Sequence, residues 1–413
     1  MRSEMVSDPQ MPAPTIKQIA QDGIYVKKVN CVAPSSTYPS HTSIITGALP
    51  VRHGIYYNTR FNGNGNYNPT NWYADSIRTQ TIWGAAKKRG LTTASLLWPV
   101  STHSKDIDIN IPEYWSLEQG IDHVQYLRDH STPAGIFDEL EEQATGKLTS
   151  QNFNPYTRNR EGRTGYMATY IMGKYRPNLM TIHFISTDYY QHKAGIHSNE
   201  VKMALSAVDY GINQVIEGLH RHQIADSTVV IVCGDHGFTD VSRLIAPNVW
   251  LAEAGLLTSD SLNWKAKFHG SGATMFLYLK EKNDKKTLRA VREKLQSLPD
   301  ATRSLFRIVE QDELTRLGCS PDVSLAVEPI LGVGVATNLT GADVVEQQSG
   351  KHGYLSPFDP TTLVAFGPGI PKKIINEINI TDIAAFVTTL LGIPFDSPDG
   401  RLVEDMVRES ACY

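Results

Sequence analysis

A chain of 413 residues with 41% hydrophobic and 20% charged side chains can bury a large core, which excludes a disordered chain. Its formal net charge of -4 has no long run of one sign behind it, which excludes a stable nucleic-acid partner held on a broad basic face. No stretch approaches the roughly 18 apolar residues of a membrane span, and the start lacks the apolar core of a signal peptide, so the chain as written reads as soluble and cytoplasmic.

The opening, MRSEMVSDPQMPAPTIKQIAQDG, enters in loop and helix style with no strand ahead of it. The first β-branched run is IYVKKVNCVA, and PSSTYPSHTSIITG follows it. There Thr37 or Ser40 before an apolar run is a helix-capping signal, and Pro39 suits a first turn. The same helix start gathers unpaired N–H groups that attract phosphate oxygens, so Thr37 is either a cap or a reactive hydroxyl. TIWGAAKKRG then reads as a helix, TTASLLWPV as a strand with Trp98 in the core, and NLMTIHFIS as a second strand. Residues 199 to 221 form the clearest helix, because Val201, Ala204, Leu205, Val208, Ile212, Ile216 and Leu219 recur at helical spacing. STVVIVCGD is the next strand. The alternation predicts βαβ units and an α/β fold, a mostly parallel sheet flanked by helices on both faces.

From about residue 240 to 345 the texture changes to GATMFLYLKEKND, the charged helix LRAVREKLQSL and the Gly-rich EPILGVGVATN, which predicts a small α+β cap inserted in a single larger domain. TTLVAFGPG then returns as a buried strand, and ITDIAAFVTTLLG as a helix with Thr381 as its cap and Gly392 as its stop. Of the four cysteines, Cys31 and Cys233 read as buried thiols, which leaves Cys319 and Cys412 as the exposed pair and the redox compartment open.

In parallel sheets ligands bind beyond the carboxyl ends of the strands, so the polar residues after apolar runs carry the functional information. HFISTDYYQH places Asp188 and His192 after one strand, VVIVCGDHGF places Asp235 and His236 after another, and GKHGY carries His352 in a loop. Each alone is an ordinary cap, turn or loop residue. Together, two aspartates and three histidines are the donor set that borderline divalent metals such as zinc select, and five ligands exceed one tetrahedral site and fit two.

Thr37-Tyr38-Pro39-Ser40-His41 with TSIITG and HGIYYN, followed in order by DYYQH, GDHGF and HGY, resembles the nucleotide pyrophosphatase/phosphodiesterase branch of the alkaline phosphatase superfamily. The likeness runs from about residue 12 to 400. It implies an alkaline-phosphatase-like fold, two zinc ions, and hydrolysis of phosphodiester or pyrophosphate bonds in small nucleotide-type substrates through a phosphothreonine. On the matching positions it makes Thr37 the nucleophile, with Asp188, His192 and His352 on one zinc and Asp235 and His236 on the other, which Thr37 shares. It makes Asn58 a donor to a phosphoryl oxygen, and Tyr38 and Tyr114 the aromatics on either side of a base. Many members of this family work outside the cytoplasm.

The resemblance also implies an aspartate followed by glycine at the end of a first strand, in a position that would precede Met1. The expectation is therefore a further strand upstream of Met1, with which an export signal and a periplasmic or extracellular location would follow. Two rival readings stand beside the diesterase. One is a phosphonate hydrolase with the same metals and nucleophile; the other is a non-catalytic relative that binds a metal or nucleotide.

Overall fold

The computed structural model describes residues 1–63, 70–114, 122–258, 262–270, 272–355 and 358–408. In chain order its strands are β1 (Ile24–Asn30), β2 (Thr93–Leu96), β3 (Ile109–Ile111), β4 (Leu179–Ile182), β5 (Val230–Cys233), β6 (Thr239–Ile245) and β7 (Ala266–His269). They continue with β8 (Met275–Leu279), β9 (Phe306–Glu310), β10 (Leu325–Pro329), β11 (Val333–Val335), β12 (Val344–Lys351), β13 (Thr361–Phe366) and β14 (Lys373–Asn379).

The main sheet alternates as its sequence demands. In β13, Leu363 and Ala365 point to one face and Val364 to the other, the period of two of a pleated strand. The first face packs on Val26 and Val29 of β1 and on Ile44, Ile45 and Phe386 from the helices Thr37–Thr46 and Asp382–Leu390. The second packs on Ile16 and Ile19 of the Pro14–Asp22 helix and on Val201, Leu205 and Ile212 of the Asn199–Arg221 helix. Helices thus cover both faces, in an alkaline-phosphatase-like arrangement. The Asn199–Arg221 helix begins where the hydroxyl of Ser198 accepts from the Val201 N–H at 3.2 Å, a side-chain cap that fixes the boundary the periodicity predicts. At the last helix Thr381 occupies the predicted cap position, but its side chain does not do the capping. Thr381 already has helical angles and makes no capping bond, and Asp382 instead accepts from the Asn379 N–H at 2.8 Å.

The sheet is in two pieces. One has the order β14-β1-β13-β5, with β1 parallel to β14 and antiparallel to β13, so TTLVAFGPG is the strand that interrupts the parallel pattern. The other is β3-β2-β4, parallel throughout. Among the described residues no ladder joins β4 to β5. Their facing edges line a cavity of about 710 Å³ whose walls also include Met180, Leu205, Ile231 and Leu390. Val230, Ile231, Val232 and Cys233 are each only half-buried, although β5 lies in the middle of the molecule. The slot separates the two pieces of the sheet among the described residues.

Met1 stands at the end of that slot. Its amino group donates to the carbonyl of His236 at 2.9 Å, and its own carbonyl accepts from the hydroxyl of Thr361 at 2.5 Å. Burial lowers the pKa of this amine, and the nearby Asp235 only partly opposes the shift.

Between residues 266 and 329 a separate antiparallel sheet, β7-β8-β10-β9, packs Phe268, Leu277 and Leu325 against Val291 and Leu295 of the Lys285–Gln296 helix. β6, parallel to β11 and antiparallel to β12, runs beside it. The cysteine expectations need correction. Cys31 and Cys233 are partly exposed, whereas Cys319 is buried with its thiol against the carbonyl of Ala33 at 3.6 Å; Cys412 lies outside the described residues. No helix among the described residues is long and apolar enough to cross a membrane.

Candidate active site

One residue of register removes Thr37 from the cap position. Ser36 has extended angles and occupies the cap position, without a side-chain capping bond, while Thr37 is the first helical residue. Its hydroxyl is therefore not used to cap and instead lies 3.3 Å from Nε2 of His236. The helix stops at Gly47, whose φ of 61° permits the left-handed turn that closes it. Asn58 is brought back to the same helix start: its Oδ1 accepts from the N–H of Tyr38 at 2.9 Å, which turns its amide nitrogen into the available donor end.

Three segments supply the histidines, and each imidazole is oriented by a backbone carbonyl. Nδ1 of His192 lies 3.0 Å from the carbonyl of Gly350, Nδ1 of His352 lies 2.7 Å from that of Ser35, and Nδ1 of His236 lies 3.1 Å from that of Gly237. A carbonyl only accepts, so Nδ1 carries the proton and the lone pair of each ring is on Nε2. All three Nε2 atoms turn toward Oδ1 of Asp188, at 3.8 Å from His192, 3.9 Å from His236 and 3.7 Å from His352. That buried oxygen has no hydrogen-bond donor among the described residues. An anionic oxygen without a donor, facing neutral nitrogen lone pairs, is a donor set that fits a divalent cation.

The tightest such group is Asp188, His236 and His352, whose ligand atoms lie within 4.8 Å of one another. This cuts across the expected division into two sets, because it takes His236 from one and Asp188 with His352 from the other. His192 stands on one side of the group. Asp235 stands on the opposite side, 3.2 Å from His236 and 3.5 Å from His41. Burial alone would raise the Asp235 carboxyl, but His236 and His41 outweigh it and hold it well below the usual carboxylate range.

His41 belongs to the same helix and adds a further polar side chain beside the site. It follows Thr37 by one helical turn, and its Nδ1 donates back to the carbonyl of Thr37 at 2.9 Å. Its ring packs edge-on against Trp98 and His183, and His183 in turn meets Glu113 at 3.3 Å. The two aromatics expected to hold a base are placed differently from that expectation. Tyr38 is 1% exposed and packed with Ile55 and Val100, and Tyr114 is 6% exposed and stacked on Tyr126 at 3.5 Å between centroids. Both rings are buried by apolar packing across the domain, which has no local sequence signal.

The buried imidazoles make a pH-dependent contribution to stability. Burial lowers the pKa of His352 and His192, and brings His41 to about 4, His53 to about 3 and His269 to about 4. Between the ordinary value near 6.5 and these depressed ones, the unfolded chain binds protons that the folded chain does not, so stability falls as pH is lowered through this window. Urea unfolding of metal-free protein is expected to show a lower midpoint at pH 5 than at pH 7.5. Equal midpoints would mean that these rings are charged or exposed in the fold.

The family model for type I phosphodiesterase / nucleotide pyrophosphatase matches residues 1–355. Among curated proteins, the chain is 26% identical over 236 residues to ectonucleotide pyrophosphatase/phosphodiesterase family member 1 of Homo sapiens, covering 54% of this chain and 21% of that protein. It is 24% identical over 236 residues to the venom phosphodiesterase of Macrovipera lebetinus, covering 55% and 23%. The match thus spans about a fifth of the length of such relatives. In fold, the chain resembles human ectonucleotide pyrophosphatase/phosphodiesterase 5 with a TM-score of 0.70 at 19% identity, covering 99% of this chain and 97% of that one. The murine counterpart, solved as an inactive variant in complex with AMP, is similar with a TM-score of 0.68 at 18% identity and the same coverage.

Proposed function

Since the chain belongs to the type I phosphodiesterase / nucleotide pyrophosphatase family, we propose that it hydrolyses phosphodiester or pyrophosphate bonds, with nucleotide-type substrates favoured, through a covalent intermediate on Thr37. The observation that carries the proposal is the uncapped hydroxyl of Thr37, held at a helix start 3.3 Å from His236 at the edge of the Asp188 cluster. The donor set fits divalent ions; Asp188, His192 and His352 would hold one and Asp235 and His236, with Thr37, another. When bound, such ions, zinc being favoured, lower the pKa of a coordinated hydroxyl and neutralise charge on phosphoryl oxygens.

The chain's own groups account for the remainder. Thr37 Oγ attacks phosphorus, the bond to the leaving oxygen breaks, and a phosphothreonyl diester forms; water then attacks phosphorus and returns the threonine hydroxyl. Asn58, fixed by its bond from the Tyr38 N–H, turns its amide N–H groups to a non-bridging oxygen and stabilises charge that grows in the transition state. The helix start beneath Thr37 adds backbone N–H groups on the same side. Aromatic contact to a nucleobase by Tyr38 or Tyr114 requires that their packing open, and nucleotide binding by the murine neighbour is the reason to retain them as candidates.

Turnover of a nitrophenyl nucleotide diester, nitrophenyl phosphate and phosphonoacetate with added zinc tests the reading. The expected order places the diester first; turnover of phosphonoacetate alone would establish the phosphonate hydrolase, and turnover of none the non-catalytic relative. Two divalent ions per chain are expected by elemental analysis, with activity lost on chelation and regained on adding zinc. Asp188→Asn is expected to weaken metal binding by at least about 10-fold, because it neutralises the oxygen at the centre of the cluster.

A further inference from the structure

Asp359 lies outside the motifs yet joins three of the segments that build the site, those carrying Thr37, His236 and His352. It is 3% exposed, just before β13. Its Oδ2 accepts from the hydroxyl of Ser35 at 2.5 Å and from the N–H of Gly353 at 3.2 Å, while its main-chain carbonyl accepts from the N–H of Gly237 at 2.9 Å. Ser35 stands two residues before Thr37, Gly353 directly after His352 and Gly237 directly after His236. The three partners reinforce one another, since Gly353 also donates to Ser35 Oγ at 2.9 Å and the carbonyl of Ser35 orients the ring of His352. The Gly237 approach is close: a Cβ there would stand 2.4 Å from the carbonyl oxygen of Pro360 and 2.8 Å from that of Asp359, so only glycine lets the two loops meet. Burial raises the Asp359 carboxyl to about 6, and the bond from Ser35 works against that rise, so the hydroxyl helps keep it charged.

We propose that Asp359 is a positioning residue for phosphoryl transfer, a buried clasp that acts through Ser35 and Gly353 to fix the distance between the Thr37 hydroxyl and the ring nitrogens of His352 and His236. It does not touch the substrate or the reacting oxygen. A hydroxyl that must attack in line is sensitive to misplacement on the scale of an ångström, and the side chain that joins its loop to the ligand loops sets that placement. The clasp also orients a metal ligand through its carbonyl partner, a role whose loss typically weakens metal binding about 10- to 100-fold.

The inference rests on the reading of Thr37 as nucleophile, and two variants with two readouts separate it from that reading. Asp359→Ala is expected to lower kcat by at least about 30-fold at saturating zinc with KM within about 3-fold, and to weaken zinc binding by about 10-fold in competition with a chromophoric chelator. Asp359→Asn keeps an oxygen that accepts both bonds, so it should restore kcat to within about 5-fold of the parent; Ser35→Ala combined with Asp359→Ala should cost little more than Asp359→Ala alone. An Asn variant as impaired as the Ala variant, an unchanged kcat in Asp359→Ala, or additive losses in the double variant would overturn the clasp. If the parent turns over no phosphoryl substrate, the zinc competition still decides: unaltered affinity in a folded Asp359→Ala protein removes the proposal on its own.

Discussion

Thr37→Ala is expected to abolish diesterase turnover, with a fall in kcat of at least about 10³-fold, the scale seen when a covalent nucleophile is deleted from machinery that otherwise stays in place. The helix does not depend on this hydroxyl. Thr37 is its first residue rather than its cap, and the backbone bond that starts it, from the Ser40 N–H to the carbonyl of Ser36, survives the substitution. Melting temperature and the affinity for an ion on Asp188, His192 and His352 should therefore remain close to the parent values, whereas an ion that Thr37 would share with Asp235 and His236 should bind more weakly, and the main loss should appear in kcat at saturating metal. Thr37→Ser, which keeps the hydroxyl and gives up only a methyl group, should retain activity within about 10-fold. Mass spectrometry of acid-quenched parent enzyme should find a nucleotidyl or phosphoryl adduct on Thr37. An Ala variant with more than a tenth of parental activity would remove Thr37 from the mechanism.

The slot between β4 and β5 leads to an equally large effect, on stability. Two strand edges face each other across about 710 Å³ with no ladder between them among the described residues. Unsatisfied backbone groups that are buried cost on the order of 1 to 3 kcal/mol each. Met1 sits at the carboxyl end of β5, against His236, and lines the slot, so chain added ahead of it would enter the slot along β5. An extension of about six β-branched apolar residues before Met1 is expected to raise the melting temperature by several degrees. It should also slow hydrogen exchange at Leu179–Ile182 and Val230–Cys233. An extension rich in lysine and glycine, matched in length, controls for chain length alone. Equal effects of the two extensions, or no change in exchange at either strand, would show that the slot is not a place for a strand.

How far the sequence is legible follows the range of the interactions. The Asn199–Arg221 helix is readable to both ends because its apolar spacing and its Ser198 cap are local. That Asp188, His192, Asp235 and His236 stand just after apolar runs is local and readable too, whereas the meeting of Asp188 and His236 with His352 depends on the fold. What the sequence hides is set by contacts between distant segments. The antiparallel course of β13 depends on pairing with β1 and β5, and nothing in TTLVAFGPG announces it. The resemblance makes Tyr38 and Tyr114 base-flanking aromatics, and nothing local announces that Ile55, Val100 and Tyr126 are packed against them. Asp359 precedes a proline in a loop and looks like any turn residue; only the fold brings Ser35 and Gly353 to it. His41 stands between these cases, because one helical turn from Thr37 is a local relation that spacing alone could reveal.

The carbonyls that aim the three imidazoles come from Gly350, Ser35 and Gly237, which belong to different parts of the chain from most of the rings they hold. The donor set therefore does not exist in any fragment, nor in a collapsed chain whose strands have not yet docked. A divalent ion that binds this donor set would be captured at the end of folding rather than early and would stabilise only the finished topology, by an amount that grows with the logarithm of its free concentration. Refolding in the presence of a chelator should leave the rate of core formation unaltered and shift only the final equilibrium.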